Sequence, residues 1–212
     1  MQIFIFDLGG VLINLHVDRC MQAFKALMGE ENMRTILGMD SRGEGVKAVS
    51  VACKQLMVDF ESGLISIDTF VQEVLRYCRQ GTISREVKDA WMSMLGELPV
   101  SRLAVIDALR AKGYKTYLLS NGNDLHFEYI DRTYDLSRRF DALFLSQKMH
   151  MAKPEAQIYE AVHSAISPSE QDEVIFIDDL EANRLAAERT VHWRTFSSID
   201  ELTKNIPICA IS

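Results

Sequence analysis

The sequence predicts an α/β fold, a doubly wound parallel sheet, with a small all-helical domain inserted after the first strand. Three observations carry this expectation. Short apolar runs recur, and each stops at a cluster of polar residues. Helical patterns separate the later runs. Between about residues 15 and 96 no strand-like run occurs at all.

The first run, Ile3-Phe4-Ile5-Phe6, halts at Asp7-Leu8-Gly9-Gly10. A run apolar at every position suits a strand covered on both faces, as in a parallel sheet. Amphipathic stripes follow. Val17, Met21, Phe24 and Met28 form one, and Val49, Leu56 and Phe60 another. Ile67, Phe70, Val71, Val74 and Cys78 make a third, and Val87, Trp91 and Met94 a fourth. Their spacing is that of helices with one buried face, and their methionines and aromatics read as core. Asp59-Phe60-Glu61-Ser62-Gly63 and Gln80-Gly81 punctuate the stretch.

Strand and helix then alternate. Leu103, Ile106 and Leu109 place a helix over 101–112, with Gly113 as its stop. Thr116-Tyr117-Leu118-Leu119 runs into Ser120-Asn121-Gly122, and Ala142-Leu143-Phe144-Leu145 into Ser146. Pro154 is expected in the first turn of a helix reaching Ala165. Val174-Ile175-Phe176-Ile177 ends at Asp178-Asp179, and a helix over 180–190 follows. Trp193 is assigned to a late edge strand, and Ser198 to Glu201 reads as a capping box. Residues 1–14 and 97–212 thus form the α/β core and residues 15–96 a helical cap.

Composition is that of a globular protein, with 48% hydrophobic and 25% charged residues among 212. A formal charge of −7 excludes general nucleic-acid or anionic-membrane binding, which needs basic surface. An anionic substrate must therefore be drawn in by local cations. Cys20, Cys53, Cys78 and Cys209 form no C-x-x-C pair, which suits reduced thiols in a cytoplasmic protein. Met1 leads straight into an apolar strand without a signal-peptide pattern, and no apolar run is long enough to span a bilayer. The sequence carries no signal for oligomeric state.

In an open parallel sheet, ligands bind beyond the carboxyl ends of the strands. The residues found there are Asp7, then Ser120 and Asn121, then Lys153, then Asp178 and Asp179. Three carboxylates at neighbouring tips would resist joint ionisation. A hard divalent cation with oxygen ligands removes that conflict, and magnesium is the natural choice beside phosphate. Ser120 offers a hydroxyl to a phosphoryl oxygen, and Lys153 a fixed positive charge. Any one of these residues alone reads as a helix cap. The ordered set does not.

The set resembles the four motifs of the haloacid dehalogenase-like hydrolase superfamily, whose members are mostly phosphatases. "FIFDLGGVL" is similar to the first motif, "LLSNGN" to the second, "KPEAQIYE" to the third and "FIDDLEAN" to the fourth. The likeness spans essentially the whole chain, with the helical insertion where one large subgroup carries its cap. The resemblance implies a magnesium-dependent phosphatase acting on a small phosphorylated metabolite, with sugar phosphates suggested by analogy alone. Asp7 would be the nucleophile, forming an aspartyl-phosphate. Asp7, the Gly9 carbonyl and Asp179 would ligate magnesium, with Asp178 close by or acting through water. Ser120 and Lys153 would hold the phosphoryl group, with Asn121 beside them, and Asn183 would orient the acids.

One position departs from the pattern. Most phosphatases of the superfamily have Asp-x-Asp in the first motif, and the second Asp protonates the leaving oxygen and later activates water. Gly9 stands there instead. Glycine keeps the metal-binding carbonyl but loses the proton carrier, whose help is typically worth about 10²- to 10⁴-fold in rate. His16 and Asp18 are the candidates nearest in sequence to replace it. A dehalogenase needs neither acid nor metal, and Asp178-Asp179 argues against that chemistry. A catalytically degenerate binding or regulatory protein remains the alternative from another class. The other histidines, His126, His150, His163 and His192, show no transition-metal spacing.

Overall fold

A computed structural model describes residues 1–36 and 51–206, with side chains for 1–33 and 55–206. Val49 and Cys209, and the side chain of Cys53, lie outside the described residues. The elements in chain order are β1 (Gln2–Phe6), α1 (Val17–Met28), α2 (Glu30–Ile36), α3 (Val51–Glu61), α4 (Ile67–Leu75), α5 (Ser84–Met92) and α6 (Val100–Ala111). Then come β2 (Lys115–Ser120), α7 (Asp124–Tyr134), β3 (Ala142–Leu145), α8 (Ser146–Met149) and α9 (Ala156–Ile166). The chain continues through β4 (Glu173–Ile177), α10 (Glu181–Val191), β5 (Arg194–Phe196) and α11 (Ile199–Asn205).

The five strands form one parallel sheet in the order β3-β2-β1-β4-β5. This is the doubly wound α/β architecture the alternation predicted. β1 lies at the centre, in register with β2 (Phe6 opposite Leu118) and with β4 (Phe6 opposite Ile177). Its side chains alternate between faces, as the pleat requires. Phe4 and Phe6 pack with Leu103, Ile106 and Leu109 of α6 and with Leu202 of α11. Ile3 and Ile5 pack with Ile158, Tyr159 and Val162 of α9 and with Ala187 of α10. Each such buried side chain contributes roughly 1.5–3 kcal/mol, so a strand covered on both faces is apolar throughout.

The helices between β1 and α6 bury a second cluster. Cys20, Phe24 and Met28 of α1 meet Phe60 of α3, Phe70 and Val74 of α4, and Val87 and Trp91 of α5. Phe60 stacks on Phe70 at 4.3 Å, and Trp91 closes the group at 5.2 Å from Phe70. Ser66 caps α4 by accepting from the Thr69 N–H. The two chain connections to the sheet run side by side. Asn14 N–H donates to Glu97 O and Gly96 N–H to Asn14 O, both at 2.9 Å.

Four expectations need correction. The buried stripe of α1 is Cys20, Phe24 and Met28, facing α5, while Val17 sits exposed on the first turn and Met21 packs only at the margin. Pro154 precedes α9, joined to Lys153 by a cis peptide, and Glu155 is the N-cap. Trp193 lies one residue before β5, buried against Tyr159 and Phe176, with its indole N–H donating to His163 Nδ1 at 3.1 Å. Ser198 does cap α11, but the Glu201 carboxylate accepts from Ser197 rather than closing the box on Ser198. Among the described residues no helix is long and apolar enough to cross a membrane.

Candidate active site

The strand order brings the polar ends of β2, β1 and β4 next to one another. Asp7 continues β1, its N–H donating to Ile177 O at 2.8 Å. Asp178 continues β4 in the same way, donating to Phe196 O. At this edge the Lys153 ammonium sits between them, essentially inaccessible to solvent. It donates to Asp7 Oδ1 at 2.9 Å, to Asp178 Oδ2 at 2.6 Å and to Leu119 O at 3.0 Å. All three of its N–H groups are used. Asn121 fixes the lysine backbone from both ends of its amide: Oδ1 accepts from Lys153 N at 2.9 Å, and Nδ2 donates to Lys153 O at 2.8 Å.

Asp178 is fully buried and saturated with donors. Besides Lys153, its carboxylate accepts from Leu180 N–H at 2.9 Å and, through both oxygens, from Asn183 Nδ2 at 3.0 Å. Asn183 is itself buried and faces inward, and its carbonyl accepts from the Tyr159 hydroxyl. Arg184 donates to the carbonyls of both Asp178 and Asp179.

Asp179 differs. It is exposed, and its carboxylate lies over the turn after β1. A Cβ placed on Gly10 would stand 2.3 Å from Asp179 Oδ2, and Gly10 has a φ of +74°. Glycine is required there on both counts.

Asp7, Asp178 and Asp179 each present an oxygen within 4.8 Å of the other two, the one such group of potential metal ligands among the described residues. Burial pushes the Asp7 carboxyl up to about 6, against the opposing charge of Lys153 and with the charge of Asp178 adding to it. Asp179 is raised too, first by the partial enclosure of its carboxylate over the Gly10 turn and then by Asp178. Burial acts against the charge on Lys153, yet Asp7 and Asp178 outweigh it and hold the ammonium above its ordinary value. Three carboxylates face one ammonium, so the protein alone leaves the centre short of positive charge. A hard divalent cation with oxygen ligands fits that deficit.

Beside the tips lies a cavity of 130 Å³ between the sheet and the helical insertion, lined by Gly9, Leu15, Ser120, Asn121, Glu61 and Trp91 among others. Ser120 is buried at the end of β2. The insertion is seated on α8 at one turn: Ser146 Oγ donates to Glu61 O, and His150 Nδ1 to Ser62 O at 3.0 Å. Gly63, with φ +66°, lies so near the core that a Cβ would be 2.2 Å from Gln147 O. Trp91 stacks on His126 of α7 with 11° between the rings, and His126 Nε2 donates to Trp91 O at 3.1 Å.

The residue missing at Gly9 is not replaced by its sequence neighbours. A Cβ on Gly9 would meet Leu15 Cδ1 at 2.9 Å, so Leu15 fills the space where an acidic side chain would start. His16 instead faces Glu97 at 3.8 Å, half-exposed, and Asp18 lies exposed on the first turn of α1. Both border a surface hollow that contains none of the strand-tip residues. Glu61 and Gln147 of the cavity wall were not among the expected site residues, and Trp91 was read as core only. The Glu61-Ser62-Gly63 punctuation was the visible signal.

A parallel sheet with an ordered set of Asp, Ser, Lys and paired Asp at its carboxyl edge defines a class, and comparison with known families agrees. Residues 1–189 match the model of the haloacid dehalogenase-like hydrolases, and the chain belongs to that family. Among its relatives is the D-ribitol-5-phosphate phosphatase of Bacteroides thetaiotaomicron, 28% identical over 187 residues covering 84% of this chain and 83% of the relative. A family enzyme from the same organism, solved with magnesium and inorganic phosphate, is 30% identical, with 93% of each chain covered and a TM-score of 0.76. A hydrolase of the family from Porphyromonas gingivalis superposes with a TM-score of 0.77 at 28% identity over 97% of each chain. An L-2-haloacid dehalogenase, 20% identical with a TM-score of 0.57 over 92% of this chain and 85% of that one, shares the fold.

Proposed function

We propose that this chain is a magnesium-dependent phosphatase that hydrolyses a small phosphomonoester, a sugar or polyol phosphate, through an aspartyl-phosphate on Asp7. One observation carries the reading: a fully engaged, buried Lys153 ammonium joins Asp7 to Asp178, with Asp179 free to face a cation beside them. A binding module has no physical need to bury that much opposed charge. The solved relative holding magnesium and phosphate and the relative named as a D-ribitol-5-phosphate phosphatase support the metal and the substrate class.

In this reading Asp7, the Gly9 carbonyl and Asp179 would hold the magnesium ion. Asp178, already saturated by Lys153, Leu180 and Asn183, positions the lysine and would reach the metal only through water. The bound metal supplies charge to neutralise the phosphoryl oxygens. Asp7 attacks phosphorus in line, and water then hydrolyses the aspartyl-phosphate. Lys153 holds Asp7 in place and stabilises the charge that spreads over the transferring group, together with the Ser120 hydroxyl. Asn121 acts through Lys153, because both ends of its amide are committed to that backbone. Asn183 orients Asp178. Residues 1–14 and 97–212 are the catalytic core, and residues 15–96 the cap that encloses the cavity. A cytoplasmic setting belongs to the same reading, supported by the free thiols of Cys20 and Cys78.

A second reading, a catalytically degenerate binding protein, is favoured by one feature: Leu15 has closed over the position of the usual acid. Hydrolysis of p-nitrophenyl phosphate separates the two, because nitrophenolate departs without a proton. Magnesium-dependent turnover that is lost in Asp7→Asn is expected. A well-folded native protein without turnover would favour the degenerate binder.

A further inference from the structure

An alkyl phosphate needs a proton on its departing oxygen, and the centre at the strand tips has none to give. Asp7 and Asp179 face the metal position, Asp178 is saturated, and Leu15 occupies the space beside Gly9. The cavity wall holds two other titratable side chains, Glu61 and His126. His126 has already committed its Nε2 proton to Trp91 O. The Glu61 carboxylate has no hydrogen-bond or ion-pair partner among the described residues, although it is largely enclosed and shares its cavity with Gly9 and Ser120. A half-buried carboxylate on a cavity wall, with no partner among the described residues, is available to a ligand in that cavity.

The backbone around Glu61 is held with care. Ser146 Oγ donates to the Glu61 carbonyl, His150 to the Ser62 carbonyl, and Gly63 rests against the Gln147 backbone. These contacts leave the Glu61 side chain free while seating the turn on the core. We propose that Glu61, carried into the active-site cavity by the cap, donates the proton to the departing oxygen and replaces the carboxylate missing at Gly9. The inference rests on the phosphatase reading and extends it to a leaving group that requires protonation.

An Asp7 oxygen bonds to phosphorus while the bond from phosphorus to the ester oxygen breaks. That oxygen leaves with the bonding pair and takes the Glu61 proton, giving an alcohol and a Glu61 carboxylate. In the second half a water oxygen bonds to phosphorus and its released proton passes to solvent, while the Glu61 carboxylate regains a proton from solvent. The bond from phosphorus to Asp7 breaks, phosphate departs, and both side chains return to their starting states. Burial acts in the direction these roles need: it raises the Glu61 carboxyl above its ordinary value and lowers His126 to about 4.

The test compares two leaving groups in native protein, Glu61→Gln and Glu61→Asp, each checked for an unchanged melting temperature. Glutamine keeps the shape and removes the proton. With p-nitrophenyl phosphate, Glu61→Gln should stay within about 3-fold of native, because that leaving group needs no acid. With an alkyl ester, D-ribitol 5-phosphate or glycerol 3-phosphate, kcat should fall by about 10²- to 10⁴-fold, and Glu61→Asp should recover part of the loss. Equal losses on both esters, or none on the alkyl ester, would overturn the role of Glu61. So would a native protein that cleaves the aryl ester but no alkyl ester, since it would have no working acid. Failure of the native protein on p-nitrophenyl phosphate would instead remove the phosphatase reading, and the inference with it.

Discussion

Lys153→Met removes the buried cation between Asp7 and Asp178 while keeping the length of the side chain. In the native protein the ammonium neutralises Asp178, which is 0% exposed, and Asp7, which is 8% exposed, by direct contacts of 2.6 and 2.9 Å. Removing one partner of a buried pair leaves the other charge uncompensated, at a cost of about 3–5 kcal/mol. For a chain of this size each kcal/mol lowers Tm by about 2–4 °C. The expected loss is therefore about 6–20 °C, read by thermal unfolding in a chelator at pH 7.5. The pH dependence has a definite sign. Asp7 already titrates near 6 in the folded protein, above its ordinary 3.8, so its proton stabilises the fold at low pH and that contribution is lost as pH rises through 6. Without Lys153 the carboxyl rises further. The deficit of the variant should then be smaller at pH 5 than at pH 7.5, and magnesium should restore part of it. A Tm within 2 °C of native at pH 7.5, or a deficit that grows on acidification, would refute the reasoning.

Gly63→Ala should loosen the cap from the core, since its φ of +66° and the 2.2 Å approach to Gln147 O leave no room for a methyl group. Strain of this kind costs about 1–3 kcal/mol, and a raised KM for alkyl phosphates at nearly native melting temperature would show that it is relieved by cap displacement. His126 is neutral in the fold, lowered to about 4 by burial despite its bond to Trp91 O. A depressed histidine pKa contributes stability above about 6.5 that is lost as pH falls toward 4, at most about 3 kcal/mol. His126→Phe keeps a ring against Trp91, so it should melt with a weaker dependence on pH between 7 and 4.5; identical profiles would exclude His126 as the source.

The parts of the site legible in the sequence are those carried by the strand tips. A parallel strand covered on both faces is an unbroken apolar run, so its end is visible where Asp7, Ser120 or Asp178 interrupts it. Lys153 was legible from its place ahead of Pro154, though not the cis bond or the later start of α9. What could not be read depends on approach in space. Glu61 looks like the last residue of a helix before a glycine, and only the docking of Gly63 on Gln147 brings it to the cavity. His16 is near Asp7 in sequence, but Leu15 is the neighbour whose side chain reaches Gly9, and His16 faces Glu97. Trp91 reads as core, which is half of its situation: it packs with Phe24 and Phe70, yet its indole N–H is buried on the wall of the cavity without a partner among the described residues. α7 carries no clear apolar stripe, because Asp124-Leu125-His126-Phe127-Glu128 is mostly polar. Its signal was the Asn123 side chain, which accepts from His126 N–H as an N-cap.

The central claim is that phosphate passes through Asp7, and it is tested most directly by trapping. The native protein is mixed with substrate phosphoester and magnesium, quenched in acid within a single turnover, and digested for peptide mapping. The expected result is one covalent phosphate on the peptide that opens the chain, placed on Asp7, dependent on magnesium and absent from Asp7→Asn. A phosphate mapped to any other residue, or undiminished hydrolysis by Asp7→Asn, would contradict it.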